Sequence, residues 1–494
     1  MLAFLLLAST LLGQETASLE ERLEGLRLAR QHCVTCHLLP DPSALDLKTW
    51  HDEVLPRMKY RLGFTSPELE KSTNIQILRE HRRIPLKPVM TEAQWLTLSR
   101  YYFAEAPAKP RPQVDHEPIS VGGTPFEVQL PVLRLTNQSV CAVAIRPTAK
   151  EIWIGEDHPG TVHRLGADGA LLESFPLSSP PARIRFEGSH ALVAAMGLLP
   201  PNDQSSGALF RVASGTTATS LLGGLRRPVD FLDADFDGDG APDFIFAEFG
   251  NNIGRLTLHH PGKPGSKPAE LLGLPGTVAL ESADHDGDGR LDFAALVSQE
   301  TESLLLFQND GKGGFRRSSL FQKPPQFGHS HFESADFDGD GRREFLVCNG
   351  DNGEFNSPLK PYHGVRIYRR TEAGMEEKWF YPLNGAYSAH AADFDGDGDL
   401  DVAAISYFPD YAANPREGFV YFENLGGWRF RPSTIKECIA GRWMVMASGD
   451  LDGDGDEDLV LGSYIRGPTT VPEFLMRTWD SSRIPFLILR NRTR

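Results

Sequence analysis

The sequence predicts a multidomain chain, a small all-α domain followed by an all-β propeller of seven blades. Two observations predict it. Helical periodicity and helix caps are confined to residues before about 106, and after about Pro131 short strand-like runs alternate with Gly, Asp and Asn turns. Within that later region a single line recurs five times: "DADFDGDGAPDFIFAEF", "SADHDGDGRLDFAALV", "SADFDGDGRREFLVCN", "AADFDGDGDLDVAAIS" and "SGDLDGDGDEDLVLGS". Its first loop aspartates, Asp235, Asp284, Asp336, Asp393 and Asp450, are 49, 52, 57 and 57 residues apart. Two weaker relatives, "SVCAVAIRPTAKEIWIGED" and "PPARIRFEGSHALVAAM", precede them and keep strand, turn and strand without the acids. Seven units of roughly 40 to 57 residues match four-stranded propeller blades. The final "PFLILRN" is expected to return and complete the first blade.

The elements follow in order. An apolar run from Leu2 to Leu12, then small and polar residues, predicts a signal segment over 1–17 that is too short to span a bilayer. It lacks a basic leading stretch, and Gln14 stands where a lipid anchor would need cysteine. Nothing later reads as a transmembrane helix. Leu19, Leu23, Leu26 and Arg30 share one face of a helix over Ser18 to Gln31. A second helix is expected from Ser66, with Pro67 first and Glu68 in its first turn. A third starts at Thr91, whose capping box closes through Gln94, and runs past Trp95, Leu98 and Tyr102 to Ala104. The helical domain is thus 18–106. The proline-rich stretch 107–130 lacks periodicity and predicts a stiff linker, and 131–494 is the propeller.

Of the residues, 40% are hydrophobic, enough for two sizeable cores. The net charge of −16 argues against a nucleic-acid partner, since phosphates need a Lys/Arg footprint. Five cysteines are too few for a disulfide scaffold. Cys141, Cys348 and Cys438 are scattered and odd in number, which predicts buried free thiols.

Cys33, Cys36 and His37 form C-x-x-C-H, the pattern of covalent haem attachment. Cys33 and Cys36 would form the thioethers of one haem c, with His37 as proximal iron ligand. A zinc site with His32 would need a second C-x-x-C, and there is none. Met58 in a loop and Met90 before the last helix are the candidates for the sixth ligand, with His51 and His81 as outsiders. Covalent haem attachment normally takes place outside the cytoplasm, which points with the signal segment to a periplasmic or extracellular protein.

Each acidic loop reads D-x-D-G-D-G-x-x-D/E, with side-chain oxygens on alternate residues and glycines for a tight turn, a cage for a hard cation. The ligands are Asp235, Asp237, Asp239 and Asp243, then Asp284, Asp286, Asp288 and Asp292, then Asp336, Asp338, Asp340 and Glu344. The last two sets are Asp393, Asp395, Asp397 and Asp401, and Asp450, Asp452, Asp454 and Asp458. Backbone carbonyls of Ala241, Arg290, Arg342, Asp399 and Asp456 would each add an oxygen. An EF-hand would put an acid at position twelve, where Phe246, Ala295, Val347, Ala404 and Leu461 stand instead, so the site lies in a β-hairpin. About five Ca²⁺ would add ten positive charges and take the net charge from −16 to −6, coupling folding to calcium.

These loops resemble the FG-GAP/VCBS repeats of integrin α-subunit propellers, and the helical segment resembles a class I cytochrome c. The whole chain after the signal resembles exported bacterial proteins that pair a cytochrome c-like head with such repeats. In that family an "LPxM…LG" segment recurs, matched here by Leu55, Pro56, Met58, Leu62 and Gly63, which favours Met58 as sixth ligand over Met90. If the acidic loops join strands one and two of each blade, the loops joining strands two and three share the opposite face with the blade entries. That would gather His329, His331, Asp351, Asn352, Lys360, Tyr362, His363, Tyr387, Tyr407, Arg442, Trp443 and Arg466 as a candidate binding face. "NGDNGEFNSPLKPYHG" in that set also matches the family pattern.

The expected function is an exported mono-haem c-type electron carrier whose calcium-stabilised propeller docks a redox partner protein, a carbohydrate or another small ligand. The first alternative is a haem-linked dehydrogenase acting on a sugar or alcohol at the propeller's top face. It would be an oxidoreductase, but no nucleophile, catalytic metal or nucleotide-binding motif is found for it, and no catalytic residue is assigned. The second alternative is an adhesion or carbohydrate-binding protein with a sensory haem.

Overall fold

A computed structural model describes residues 17–263, 265–353 and 357–493, so the expected signal segment lies, apart from Ala17, outside the described residues. The chain divides into two compact units, one ending at Arg111 and the other starting at Pro112.

The first unit is helical. Its opening helix, Leu19–His32, starts with a capping box between Ser18 and Glu21. Its closing helix, Glu92–Glu105, has the expected Thr91–Gln94 box. The two pack at Gly25, where an added Cβ would lie 2.3 Å from the Tyr101 Cβ. Leu28, Ala29, Trp50, Leu55, Met90, Trp95, Leu98 and Tyr102 form the core.

Two sequence expectations change here. The helix expected from Ser66 is only a short turn at Leu69–Lys71, and the true helix is Thr73–Glu80. Met58 is not in a loop. It lies on helix Leu55–Arg61, which continues Leu47–Thr49 through a wide turn at Trp50–Val54. Pro56, which has no N–H to donate, stands one residue after that wide turn, where the regular helical hydrogen-bond ladder is already interrupted.

The second unit is a seven-bladed β-propeller of antiparallel sheets. Six blades are consecutive in sequence, over 140–176, 181–225, 228–272, 277–323, 329–382 and 386–434. Second strands such as Asp292–Ser298 and Asp401–Ser406 are buried along their whole length, because neighbouring blades cover both faces. Fourth strands such as Phe315–Lys323 are largely exposed.

Closure differs from the expectation. The seventh blade is ordered Trp443–Gly449, Asp458–Ser463, Phe486–Asn491 and Phe126–Gln129. The "PFLILRN" segment is therefore a third strand of the last blade, and a strand from the expected linker closes the ring. Upstream in that stretch, Ser120 and Val121 pair in parallel with Ser433 and Thr434, and the Tyr381 hydroxyl donates to the Glu117 carbonyl at 2.8 Å. From Pro112 the stretch thus belongs to the propeller unit. A short run such as "FEVQ" carries too little periodicity to register as a strand by itself.

Helix Glu473–Ser482 interrupts the last blade, although the sequence pattern predicts no helix after Pro131. Its buried Leu475 and Trp479 dock it, with the Trp479 indole donating to the Ile439 carbonyl at 2.8 Å. No helix of the described residues is long and apolar enough to cross a membrane.

Candidate functional site

In the first unit, the C-x-x-C-H motif begins where the opening helix stops, with the Cys33 N–H still bonded to the Ala29 carbonyl. The segment that follows is held by two core aromatics. Trp50 donates to the Pro42 carbonyl at 2.7 Å, and the Tyr102 hydroxyl to the Pro40 carbonyl at 3.1 Å. Cys33 packs half-buried against the core, and burial, with Cys36 beside it, raises its thiol pKa to about 11. Cys36 is exposed.

His37 Nδ1 lies 2.8 Å from the Leu38 carbonyl. A carbonyl can only accept, so Nδ1 carries the proton and Nε2 keeps its lone pair for a ligand. Met58 is partly buried against the same core as Cys33, whereas Met90 is 7% exposed inside it. Of the outsiders, His51 is exposed and pairs with Asp52, and His81 is exposed at a helix end.

In the propeller, all five acidic loops join strands one and two of a blade, in blades three to seven. Both glycines of every loop have positive φ, from Gly339 at 69° to Gly398 at 99°, which explains the D-G-D-G spacing. Oxygens of Asp235, Asp237 and Asp239 lie within 4.8 Å of one another, as do those of Asp284, Asp286 and Asp292. The same holds for Asp336, Asp338 and Glu344, and for Asp393, Asp395 and Asp397.

The ninth position has a second role. Asp243, Asp292, Glu344, Asp401 and Asp458 are all buried, and each accepts the backbone N–H of its own loop's second residue at 3.0–3.2 Å. The other carboxylate oxygen reaches strand three, where it accepts the N–H of Asn309 at 2.7 Å, Asn424 at 2.7 Å and Asn491 at 2.9 Å in the fourth, sixth and seventh blades. Asn309 and Asn491 also donate to Phe236 and Phe394 carbonyls in the preceding blade's loop, both at 2.8 Å. The sequence pattern does not single out these asparagines as functional, although "FQNDG" and "FENLG" repeat visibly.

The loops differ in charge balance. Lys263 pairs with Asp237 and Asp239, and His260 with Asp243 at 2.6 Å. Arg369 pairs with Asp338 and Glu344, Arg290 with Asp288, and Arg490 with Asp458 at 2.9 Å. The 393–401 loop has no basic partner among the described residues. Within it the Oδ1 atoms of Asp393 and Asp399 are buried without a hydrogen bond. Burial, with Asp397 close by, raises the Asp399 carboxyl pKa to about 6, and burial raises that of Asp401 to about 7.

On the opposite end of the strands, many expected surface residues are packed inside, a correction to the candidate face. Trp443 is fully buried and donates to the Cys438 carbonyl at 2.7 Å. His329 is buried against Glu302 at 2.7 Å, and His363, Lys360 and Asn352 are buried too. Large polar residues beside glycine-rich turns read as ligand contacts, but here they fill the space between long loops. His331 belongs to the channel-lining strand, its ring 5.4 Å from that of His390. Tyr362 stacks on Phe327 at 4.8 Å, and Arg466 is exposed. Asp351, Tyr387, Tyr407 and Arg442 do converge. The Tyr387 and Tyr407 rings are 5.4 Å apart, and Arg442 lies 3.9 Å from the Tyr407 ring centre. Burial raises the Tyr387 phenol pKa, with Asp351 and Tyr407 pushing the same way and Arg227 and Arg442 opposing.

A family model described as FG-GAP-like repeat matches residues 235–295 and 284–347. The acidic loops that start at Asp235, Asp284 and Asp336 lie within that match. No curated protein shows significant sequence similarity to the chain. Similar solved structures include one of BBS1N in complex with ARL6DN, with 10% identity and a TM-score of 0.46, covering 75% of this chain and 97% of that one. A chain of an S. cerevisiae Dbp5 complex with Nup159, Gle1, IP6 and ADP has 9% identity and a TM-score of 0.43, covering 77% and 98%. A chain of a nidogen/laminin complex has 12% identity and a TM-score of 0.31, covering 46% and 74%. The five acidic loops occupy one end of the propeller, and the Tyr387–Tyr407–Arg442 group occupies the other.

Proposed function

We propose that the chain is an exported mono-haem c-type electron carrier whose calcium-stabilised propeller docks a redox partner or substrate. The observation that carries this reading is the C-x-x-C-H motif at the end of helix Leu19–His32, with His37 Nδ1 committed to a backbone carbonyl. The residues fit a haem. Cys33 and Cys36 would be its thioether anchors and His37 Nε2 the proximal ligand, and bound there the haem supplies a one-electron couple. Met58 suits the sixth position better than Met90, because a ligating sulfur needs an open side and Met90 is enclosed by the core. The Leu38 carbonyl holds the imidazole in one tautomer, and the apolar residues packed around Cys33 would limit water at the ring.

Calcium fits the propeller loops, most clearly at 393–401, where buried Asp393 and Asp399 oxygens lack a donor and no basic side chain among the described residues offsets the charge. Bound calcium would supply that charge balance, while the ninth-position carboxylates tie each loop to its blade. The decisive experiment is expression of the full chain with c-type haem maturation, followed by spectra and a redox titration with and without soluble cytochromes. A covalent haem that titrates reversibly and exchanges electrons with a cytochrome is the expected result. Absence of covalent haem would overturn the reading.

A further inference from the structure

We propose that the channel mouth opposite the FG-GAP-like loops binds the oxyanion of a small ligand, with Arg442 as its anchor. This deepens the reading of the propeller as the docking module, and it stands or falls independently of the haem.

Arg442 is 1% exposed. Its Nε donates to the Tyr407 carbonyl at 3.0 Å, but neither Nη1 nor Nη2 has a hydrogen-bond partner. No carboxylate pairs with it among the described residues. A buried guanidinium in that state is costly, whereas its two free nitrogens match two oxygens of a carboxylate or phosphate. The surroundings favour an anion. A second guanidinium, Arg227, has its pKa drawn down to about 10 by burial, and Tyr387 and Asp351 lie close enough to act on its charge. The Tyr387 phenol stands among these groups as a further donor.

Nη1 is covered by Gly467, where an added Cβ would lie 2.5 Å from that nitrogen and 2.6 Å from the Tyr407 hydroxyl. The covering stretch is fastened by the Tyr407 hydroxyl to the Arg466 carbonyl at 2.7 Å, and by a Ser357–Thr469 hydroxyl contact at 2.9 Å. An anion reaches Arg442 by lifting that stretch.

The test uses the calcium-loaded full chain at constant ionic strength, with chloride as the reference salt. Acetate and glucuronate probe a carboxylate, and inorganic phosphate probes the tetrahedral alternative. The expected result is a saturable rise in melting temperature with the carboxylates or with phosphate, and titration calorimetry gives the affinity. Arg442→Met should weaken that affinity at least about tenfold, and Arg442→Lys should recover only part of it. If neither variant folds, hydrogen exchange on the wild type decides, since a bound anion must change protection around Tyr464–Thr469. No response beyond chloride, undiminished binding in a folded Arg442→Met, or exchange changes confined elsewhere would each overturn the proposal.

Discussion

Glu417 makes the propeller's stability depend on pH with a definite sign. It sits in the turn Pro415–Gly418, 3% exposed, and no basic side chain pairs with it among the described residues. Its carboxyl accepts the Asp410 N–H at 3.0 Å and the Asn384 amide at 3.2 and 3.3 Å. Burial dominates, and it raises the pKa from 4.5 to about 7. Between those values the folded protein holds a proton that the unfolded chain has released, so stability falls as pH rises through that window. The loss is absent below about pH 4.5 and complete above about pH 7. At roughly 1.4 kcal/mol per pH unit it amounts to about 3 kcal/mol. Glu417→Gln removes the titration but sets an amide against the Asn384 amide, a pH-independent cost of about 1–3 kcal/mol. Denaturant unfolding of both proteins at fixed free calcium, from about pH 5 to about pH 8, should therefore show the variant gaining on wild type by about 3 kcal/mol. Parallel stability curves would refute the argument.

Four further outcomes are expected. A calcium chelator should lower the propeller's unfolding temperature, because a site filled at a hundred times its dissociation constant adds about 2.7 kcal/mol. Calorimetry with and without chelator should show a larger loss for Asp397→Asn than for Asp237→Asn, since Lys263 already offsets charge in the latter loop. Met90→Ala should destabilise the helical unit by about 2–5 kcal/mol and leave the haem spectrum unchanged, whereas Met58→Ala should alter the axial-ligand bands and lower the potential. Gly25→Ala should destabilise the same unit by about 1–3 kcal/mol in thermal unfolding despite alanine's better helix propensity, because its Cβ would strike the Tyr101 Cβ and the Thr97 carbonyl.

The propeller is legible in the sequence because its repeat is dictated locally. Two positive-φ turns per loop demand glycine, and the same loop must accept its own backbone N–H groups, so D-G-D-G recurs wherever the hairpin does. Closure is not legible, because it pairs Phe126–Gln129 with Phe486–Asn491 across nearly the whole propeller unit, and neither strand's residues name its partner. The helix at Glu473–Ser482 escapes sequence reasoning although Leu475 and Trp479 sit four residues apart, since one apolar pair in a β context is weak evidence. The burial of many binding-face residues is not legible for a different physical reason. Residue type is a guide to exposure on average, yet long loops packed on one another must bury something polar, and here His329 and Trp443 are buried with partners supplied. Both terminal nitrogens of the Arg442 guanidinium are buried in the same crowd without a partner, and an unpaired buried cation costs more than an unpaired neutral atom. That difference separates Arg442 from His329 and Trp443, and it exists only in the folded chain.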